Sequence, residues 1–368
     1  MTKIEWTHRP GTKGESWNPI VGCSITSPGC TNCYAMSMAA RIERMQPASH
    51  YAGTTKPTKA GPVWTGKLVL APEHILTAPL RATKPRTYFV NSMGDVFHED
   101  VPDAWIDIVF AVMALTPQHT YILLTKRGER MQVYLSRGDD EHGDYFERLS
   151  DAAVKLTDDP CSAHVESVNW PLPNVWLGVS TERQQEADER IPHLLATPAA
   201  VRFISAEPLL GPIDLTIPVY HDAVGVSHRG YLRDKGEPDD YQFHSPKIDW
   251  VIVGGESGPD ARPMHPEWAK SLRDQCSNGN VPFFFKQWGE WTPGENVERQ
   301  KGSVRVAYND GPFAGGDWAF GSELMEVDGH CDDEPDLYRV GKHEAGRFLD
   351  GREHSEWPIA AAAAEVAA

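Results

Sequence analysis

Three cysteines within one short stretch constrain this chain more than any other feature. Cys23, Cys30 and Cys33 stand as C-x6-C-x2-C inside Trp17-Asn18-Pro19-Ile20-Val21-Gly22-Cys23-Ser24-Ile25-Thr26-Ser27-Pro28-Gly29-Cys30-Thr31-Asn32-Cys33-Tyr34-Ala35. Gly22, Pro28 and Gly29 let the backbone fold tightly, so that three sulfurs can converge on one point. Convergent thiolates suit a soft metal centre. Three of them leave one position unfilled. A closed structural zinc site asks for a fourth protein ligand, and nothing in the spacing singles out His8 or His50. An iron–sulfur centre that binds a substrate or cofactor would leave that position open.

The compartment decides how such cysteines are read. No apolar run reaches the roughly 18 residues of a spanning helix, and Met1-Thr2-Lys3-Ile4-Glu5-Trp6 has no apolar core of the signal-peptide kind. The expected location is the cytoplasm, with no membrane partner. Six cysteines there, three of them clustered, indicate metal binding or catalysis rather than disulfides. The 368 residues, 40% of them hydrophobic, are enough for a large core. A formal net charge of −17 argues against a broad polyanion-binding surface.

The chain predicts alternating strands and helices. Residues 1–22 are polar and turn-rich, with Pro19-Ile20-Val21 as a short first strand and the cysteine loop after it. A helix is expected from Asn32 to Met45, with Ala35, Met38, Ile42 and Met45 on one face. Its N-terminus would favour a thiolate at Cys33. Lys67–Leu70 is a second strand candidate, followed by a helix over Glu73–Leu80. Apolar strands follow at Thr87–Asn91, Thr120–Thr125, Asn174–Val179, Val201–Ser205, Ile248–Val253 and Pro282–Phe285. Helices lie between them, with Asp103 and Thr181 expected as N-caps and Pro266 opening the last. Buried strands separated by helices indicate a parallel sheet. About seven such units favour a TIM-like (β/α) barrel, complete or partial. The expected organisation is a barrel over 1–291, with the cluster loop at 22–34 and polar surface insertions at 136–170 and 218–247. A C-terminal extension or lid would cover 292–357, with Gly341–Arg352 over the mouth, and an Ala-rich disordered tail 358–368.

In such a barrel chemistry collects where strands end, and here nearly every strand ends in polar residues. Asp95, Lys126, Glu207 and Glu256 follow apolar strands directly and are the candidate catalytic groups. A structural salt-bridge network is the competing reading. Asn91, Ser92, Asp95, Ser180, Gly254 and Gly255 are the candidate cofactor contacts. Gly254-Gly255-Glu256-Ser257-Gly258-Pro259 is neither G-x-S-x-G nor G-x-G-x-x-G, but a backbone nest for a carboxylate or phosphate fits it. His98, Asp100 and Glu182 have weaker claims. Cys161, Cys276 and Cys331 read as ordinary cysteines.

Several motifs together resemble the phage-encoded and bacterial three-cysteine proteins of unassigned function. They are Trp17-Asn18-Pro19, Gly22-Cys23, Cys30-Thr31-Asn32-Cys33-Tyr34-Ala35, Phe89 to Phe97, Leu124-Thr125-Lys126-Arg127, Val253 to Gly258, Phe285-Lys286-Gln287-Trp288-Gly289 and Gly341 to Arg352. That family is in turn similar to radical S-adenosylmethionine enzymes, although the first cysteine gap is wider than their commonest C-x3-C-x2-C. The resemblance implies a 4Fe-4S cluster on Cys23, Cys30 and Cys33. It also implies S-adenosylmethionine on the open iron, cleavage to a 5′-deoxyadenosyl radical, and a reductant protein as partner. Asn91, Ser92 and Asp95 would hold the methionine amino group.

Two other readings stand beside it: a zinc-binding hydrolase or nuclease-like barrel using the same cysteines and a His, and a non-enzymatic partner module with a structural metal clip. The phage context of the resemblance suggests a nucleotide or nucleic-acid substrate. Trp288 and Trp291 would then stack a base, and Lys126, Arg127 and Lys286 would meet phosphate. The alternative for the tryptophans is core packing.

Overall fold

The computed structural model describes residues 4–139, 144–216, 219–221, 227–232, 246–297, 306–308, 318–321 and 337–358. Among these, seven parallel strands form one sheet: β1 (Lys13–Trp17), β2 (Arg86–Val90), β3 (Thr120–Thr125), β4 (Val175–Ser180), β5 (Val201–Ala206), β6 (Trp250–Gly254) and β7 (Phe283–Gln287). Each pairs with its neighbours in chain order. That order is the one a (β/α) barrel uses. The helices between the strands are α1 (Tyr34–Met45), α2 (Asp103–Ala114), α3 (Gly128–Leu135), α4 (Tyr145–Thr157), α5 (Gln184–Leu195) and α6 (Pro266–Asn278).

The barrel does not close. β1 pairs only with β2, and β7 pairs with β6 but not with β1. The free edge of β7 is taken instead by the C-terminal segment: Phe285 N donates to His354 O at 3.0 Å, and Phe284 bridges Ser355 in antiparallel sense. The molecule is therefore a half-barrel. Its edge is covered by its own chain, as exposed strand edges generally must be.

Side-chain alternation explains the two faces. Outward residues such as Tyr88, Tyr121, Leu177, Val179, Ile204, Val251 and Phe285 join the helices in the main core. Inward residues Phe89, Ile122, Trp176, Phe203, Trp250 and Phe284 meet Trp6 in a second cluster, with Trp357 packed against it. Each such side chain contributes roughly 1.5–3 kcal/mol when fully buried. This aromatic plug fills the floor of the half-barrel. Nearer the strand ends the inward positions are mixed: Ser180 and Ser205 are polar, Gly178 and Gly254 have no side chain, and Leu124 and Ile252 still pack with the aromatic cluster.

Several expectations need correcting. The first sheet strand is Lys13–Trp17, whereas Ile20–Val21 and Val69–Leu70 form only a small antiparallel ladder outside the sheet. α1 buries Ala35, Met36 and Ala39, while Met38 and Met45 are exposed. The buried stripe is rotated by about one residue from the expected one. Asp103 is the first helical residue rather than the cap, and Thr181 lies before α5, whose N-cap is Arg183. The stretch 136–170 carries α4, whose Tyr145, Leu149 and Ala153 are buried in the main core. Most of 218–247 and nearly all of the Ala-rich tail lie outside the described residues. Gly341–Arg352 makes its contacts beside β7 and α6: Trp288 Nε1 donates to Phe348 O at 2.7 Å, and Lys270 pairs with Asp350 at 3.2 Å.

Candidate functional site at the half-barrel mouth

The cysteine loop lies on the rim beyond β1, and Cys33 occupies the N-cap position of α1. Cys30 is buried and the other two cysteines are half-buried. Three carboxylates from three different strand ends clamp this loop.

Asp95 follows β2. It accepts from Thr125 Oγ1 at 2.7 Å, from the backbone N–H of Phe97 and of Lys126, and from Arg127 at 3.0 Å. Arg127 in turn donates to Ser24 Oγ at 2.9 Å and reaches Cys23 Sγ at 3.5 Å. Glu182 follows β4 and its side chain is fully buried. It accepts from Ser27 Oγ at 2.9 Å and Arg190 at 3.0 Å, and pairs with Lys126. Gly29 lies against it so closely that a Cβ would stand 2.4 Å from Glu182 Oε1, which is why glycine is needed there. Glu256 follows β6. It accepts from Asn32 at 3.0 Å and from the backbone and guanidinium of Arg262, which donates onward to Pro28 O at 2.9 Å. His98 adds a fourth contact, its Nε2 2.8 Å from Ser24 Oγ.

These charges act on the thiols. Burial pushes the Cys23 thiol up to about 12, against the pull of Arg127. Burial also raises Cys33. At Cys30 burial raises the pKa too, but Lys126 and hydrogen bonds from Thr26 and Ser27 outweigh it, and the net shift is downward. Cys30 feels both other thiols, so the three share one electrostatic neighbourhood. As they stand, their sulfurs do not form a closed set. Among the described residues no group of three or more His, Cys, Asp or Glu is arranged to hold a metal ion. The donor chemistry nonetheless fits a thiolate-held centre: three thiols, one of them already lowered, next to Lys126 and Arg127.

The other expected residues fall as follows. Asn91 has φ +66°, and its Oδ1 accepts from Ile20 N at 3.1 Å, while its buried Nδ2 has no partner. That free group is a donor and suits a carbonyl or carboxylate oxygen rather than an amino group. Ser92 donates to Asn18 Oδ1 at 3.1 Å, and its carbonyl accepts from Tyr34 OH at 3.0 Å. Ser180 is buried, and its carbonyl accepts from Arg190. Gly255 N–H is taken by Gln287 O at 2.9 Å, and its carbonyl accepts from Gln287 Nε2 at 3.0 Å, so the Gly254-Gly255 backbone is not an open nest. Trp288 and Trp291 are 1% and 3% exposed and belong to the core, so neither can stack a base. Each of Lys126, Arg127 and Lys286, the expected phosphate contacts, is paired with a carboxylate.

One pair stands apart. Glu207, after β5, is 2.9 Å from Lys286 of β7, and Ser205 Oγ donates to it at 3.1 Å. Pattern reading missed Arg190, Arg262 and Asn32, because their partners are distant in the chain and nothing local marks them. Tyr34, beside the third cysteine, carried a stronger signal: an aromatic with a polar tip next to the motif.

These features define a class: a parallel α/β half-barrel carrying a three-thiol loop clamped to its rim by buried ion pairs. A family model described as protein of unknown function (DUF5131) matches residues 1–358, and the chain belongs to that family. No curated protein and no solved structure matches it. Among the described residues, no helix is long and apolar enough to cross a membrane.

Proposed function

We propose that the protein is an iron–sulfur enzyme of the radical S-adenosylmethionine type, working in the cytoplasm with an external reductant protein. Cys23, Cys30 and Cys33 would hold a 4Fe-4S cluster at the half-barrel mouth. The observation that supports this most is the clamp. Three saturated carboxylates fix one three-thiol loop, and the cations they recruit, Lys126 and Arg127, stand where they offset thiolate charge. When bound, the cluster would supply the electron that cleaves the sulfonium of S-adenosylmethionine.

The chain's own groups divide into two sets. Asp95, Glu182 and Glu256 are positioning residues, since each accepts three or more hydrogen bonds within the protein, and Lys126 is the cation paired with Glu182. Asn91 Nδ2 and Glu207 Oε1 are buried without a hydrogen-bond partner, and with Lys286 they are the groups left with capacity for a bound molecule. Anaerobic reconstitution with iron and sulfide should give a brown protein that releases 5′-deoxyadenosine from S-adenosylmethionine under reducing conditions. Stoichiometric zinc without sulfide would replace this reading with the zinc-barrel one. Iron binding without any turnover after loss of Glu207 or Lys286, matched by unchanged biological activity, would favour the partner-module reading.

A further inference from the structure

The mouth beside the cysteine loop also limits what can enter it. We propose that Glu207 and Lys286, together with the ring of Tyr34, bind an uncharged planar heterocycle that carries a hydrogen-bond donor beside an acceptor, as a nucleoside base does. This names the substrate class of the proposed enzyme, and only the reaction that follows binding rests on that reading.

The pair sits directly above the aromatic floor. Lys286 lies beyond Phe284 on β7, at the register shift where Phe285 pairs with Val253 and Gln287 with Gly254, and Glu207 directly follows β5. Ser205 fixes one carboxylate oxygen at 3.1 Å. Gly254 makes room for the other, because a Cβ there would stand 2.6 Å from Glu207 Oε1. The result is an ammonium donor and a carboxylate acceptor held 2.9 Å apart. That spacing complements adjacent acceptor and donor atoms on the edge of an amide-like ring. Glu207 is 14% exposed against 0% for Glu182, while the two lysines, Lys286 and Lys126, are alike at 20% and 18%.

Tyr34 supplies a face. Its ring is 56% exposed, and its hydroxyl is anchored on Ser92 O. Ser92 lies just after β2, so this anchor holds the ring at the rim of the same mouth. An open ring beside a donor–acceptor pair is how unpaired bases are commonly held.

Charge disfavours the phosphorylated forms. Lys126, Arg127, Arg262 and Lys286 are each committed to a carboxylate. The chain as a whole carries −17. A free base or nucleoside meets no such penalty.

The test is equilibrium dialysis of the anaerobically purified full-length protein with uridine, cytidine, adenosine and guanosine, alongside their 5′-monophosphates and free methionine. Iron and sulfide are measured on the same preparation. At least one nucleoside should bind more tightly than its monophosphate. Glu207→Gln and Lys286→Met should each weaken it about tenfold or more, since each removes a hydrogen bond to a charged group. Tyr34→Ala should weaken it about fivefold or more through lost stacking. Lys270→Ala on α6, away from the mouth, should bind as wild type does and checks that folding is intact. Tighter binding of monophosphates, binding of methionine through the same pair, or no nucleoside binding at millimolar concentration would overturn the proposal. Nucleoside binding without iron would leave it standing and remove the cluster instead.

Discussion

Glu182 and Glu207 follow neighbouring strands of one sheet, and each meets a lysine from another strand end, yet the two pairs are built for different ends. Glu182 is fully buried, receives a second cation from Arg190 and a hydroxyl from Ser27, and lies over Gly29 of the cysteine loop. Glu207 has one cation, one hydroxyl of its own strand, and a partly open side chain. The residue types are the same, so it is the number of partners that separates a clamp from a contact face. A carboxylate whose lone pairs are all taken can position a loop but cannot receive a ligand.

The sharpest way to break this contrast is to remove each charge in turn. Glu182→Gln leaves two cations, Arg190 at 4% exposed and Lys126 at 18%, without their counter-charge and should cost about 3–5 kcal/mol of folding stability. Glu207→Gln strands one cation rather than two, Lys286 at 20% exposed, and should cost less, about 1–3 kcal/mol. Urea denaturation of both variants measures the difference, and equal losses would erase the distinction.

Two adjacent glycines separate the same two roles. A Cβ at Gly255 would stand 1.8 Å from the Trp288 carbonyl, a backbone atom that cannot move aside, so Gly255→Ala should cost about 1–3 kcal/mol or more. At Gly254 the obstacle is the mobile end of Glu207. Gly254→Ala should therefore cost under about 1 kcal/mol and disturb ligand binding more than stability. Thermal melts of the two variants rank them.

Acid titration sharpens the contrast further. Burial raises the Glu182 carboxyl, but Lys126 and Arg190 more than reverse this and leave it below its ordinary value near 4.5. A lowered carboxylate contributes stability above its unfolded value, and that contribution is lost as pH falls through the folded one. The stability gap between wild type and Glu182→Gln should be full at neutral pH and shrink below about pH 4.5. A gap that widens in acid would mean that the carboxyl is held neutral.

How much of this could be read from the chain depends on where each signal resides. Strands β2 to β7 are legible because both faces of a parallel sheet are buried, leaving apolar runs such as Tyr121-Ile122-Leu123-Leu124. β1 is not legible. Lys13-Gly14-Glu15-Ser16-Trp17 is an edge strand whose Glu15 turns to Arg86, so its pattern resembles a polar turn. Closure was also illegible, since the strand count is that of a near-complete barrel and the edge is filled by residues 354–356 far away in sequence. Within the site, the cysteines and strand-end acids announce themselves by type and place. Whether an acid is saturated depends on Arg190 from inside α5 and on Arg262 from a loop, which no local pattern marks.

The smallest expected effect lies outside the rim. Lys270 and Asp350 pair at 3.2 Å on the surface, with Asp350 40% exposed. Lys270→Ala should change stability by no more than about 0.5–1 kcal/mol, and less at high salt. A larger loss would mean that burial is not what ranks these pairs.

Iron and acid-labile sulfide per chain, measured after anaerobic reconstitution of wild type and Cys30→Ala, test the central claim most directly. A thiolate-held cluster at the mouth predicts stoichiometric iron and sulfide in wild type and their loss in Cys30→Ala. Equal iron in the two proteins, or zinc without sulfide in wild type, would contradict it.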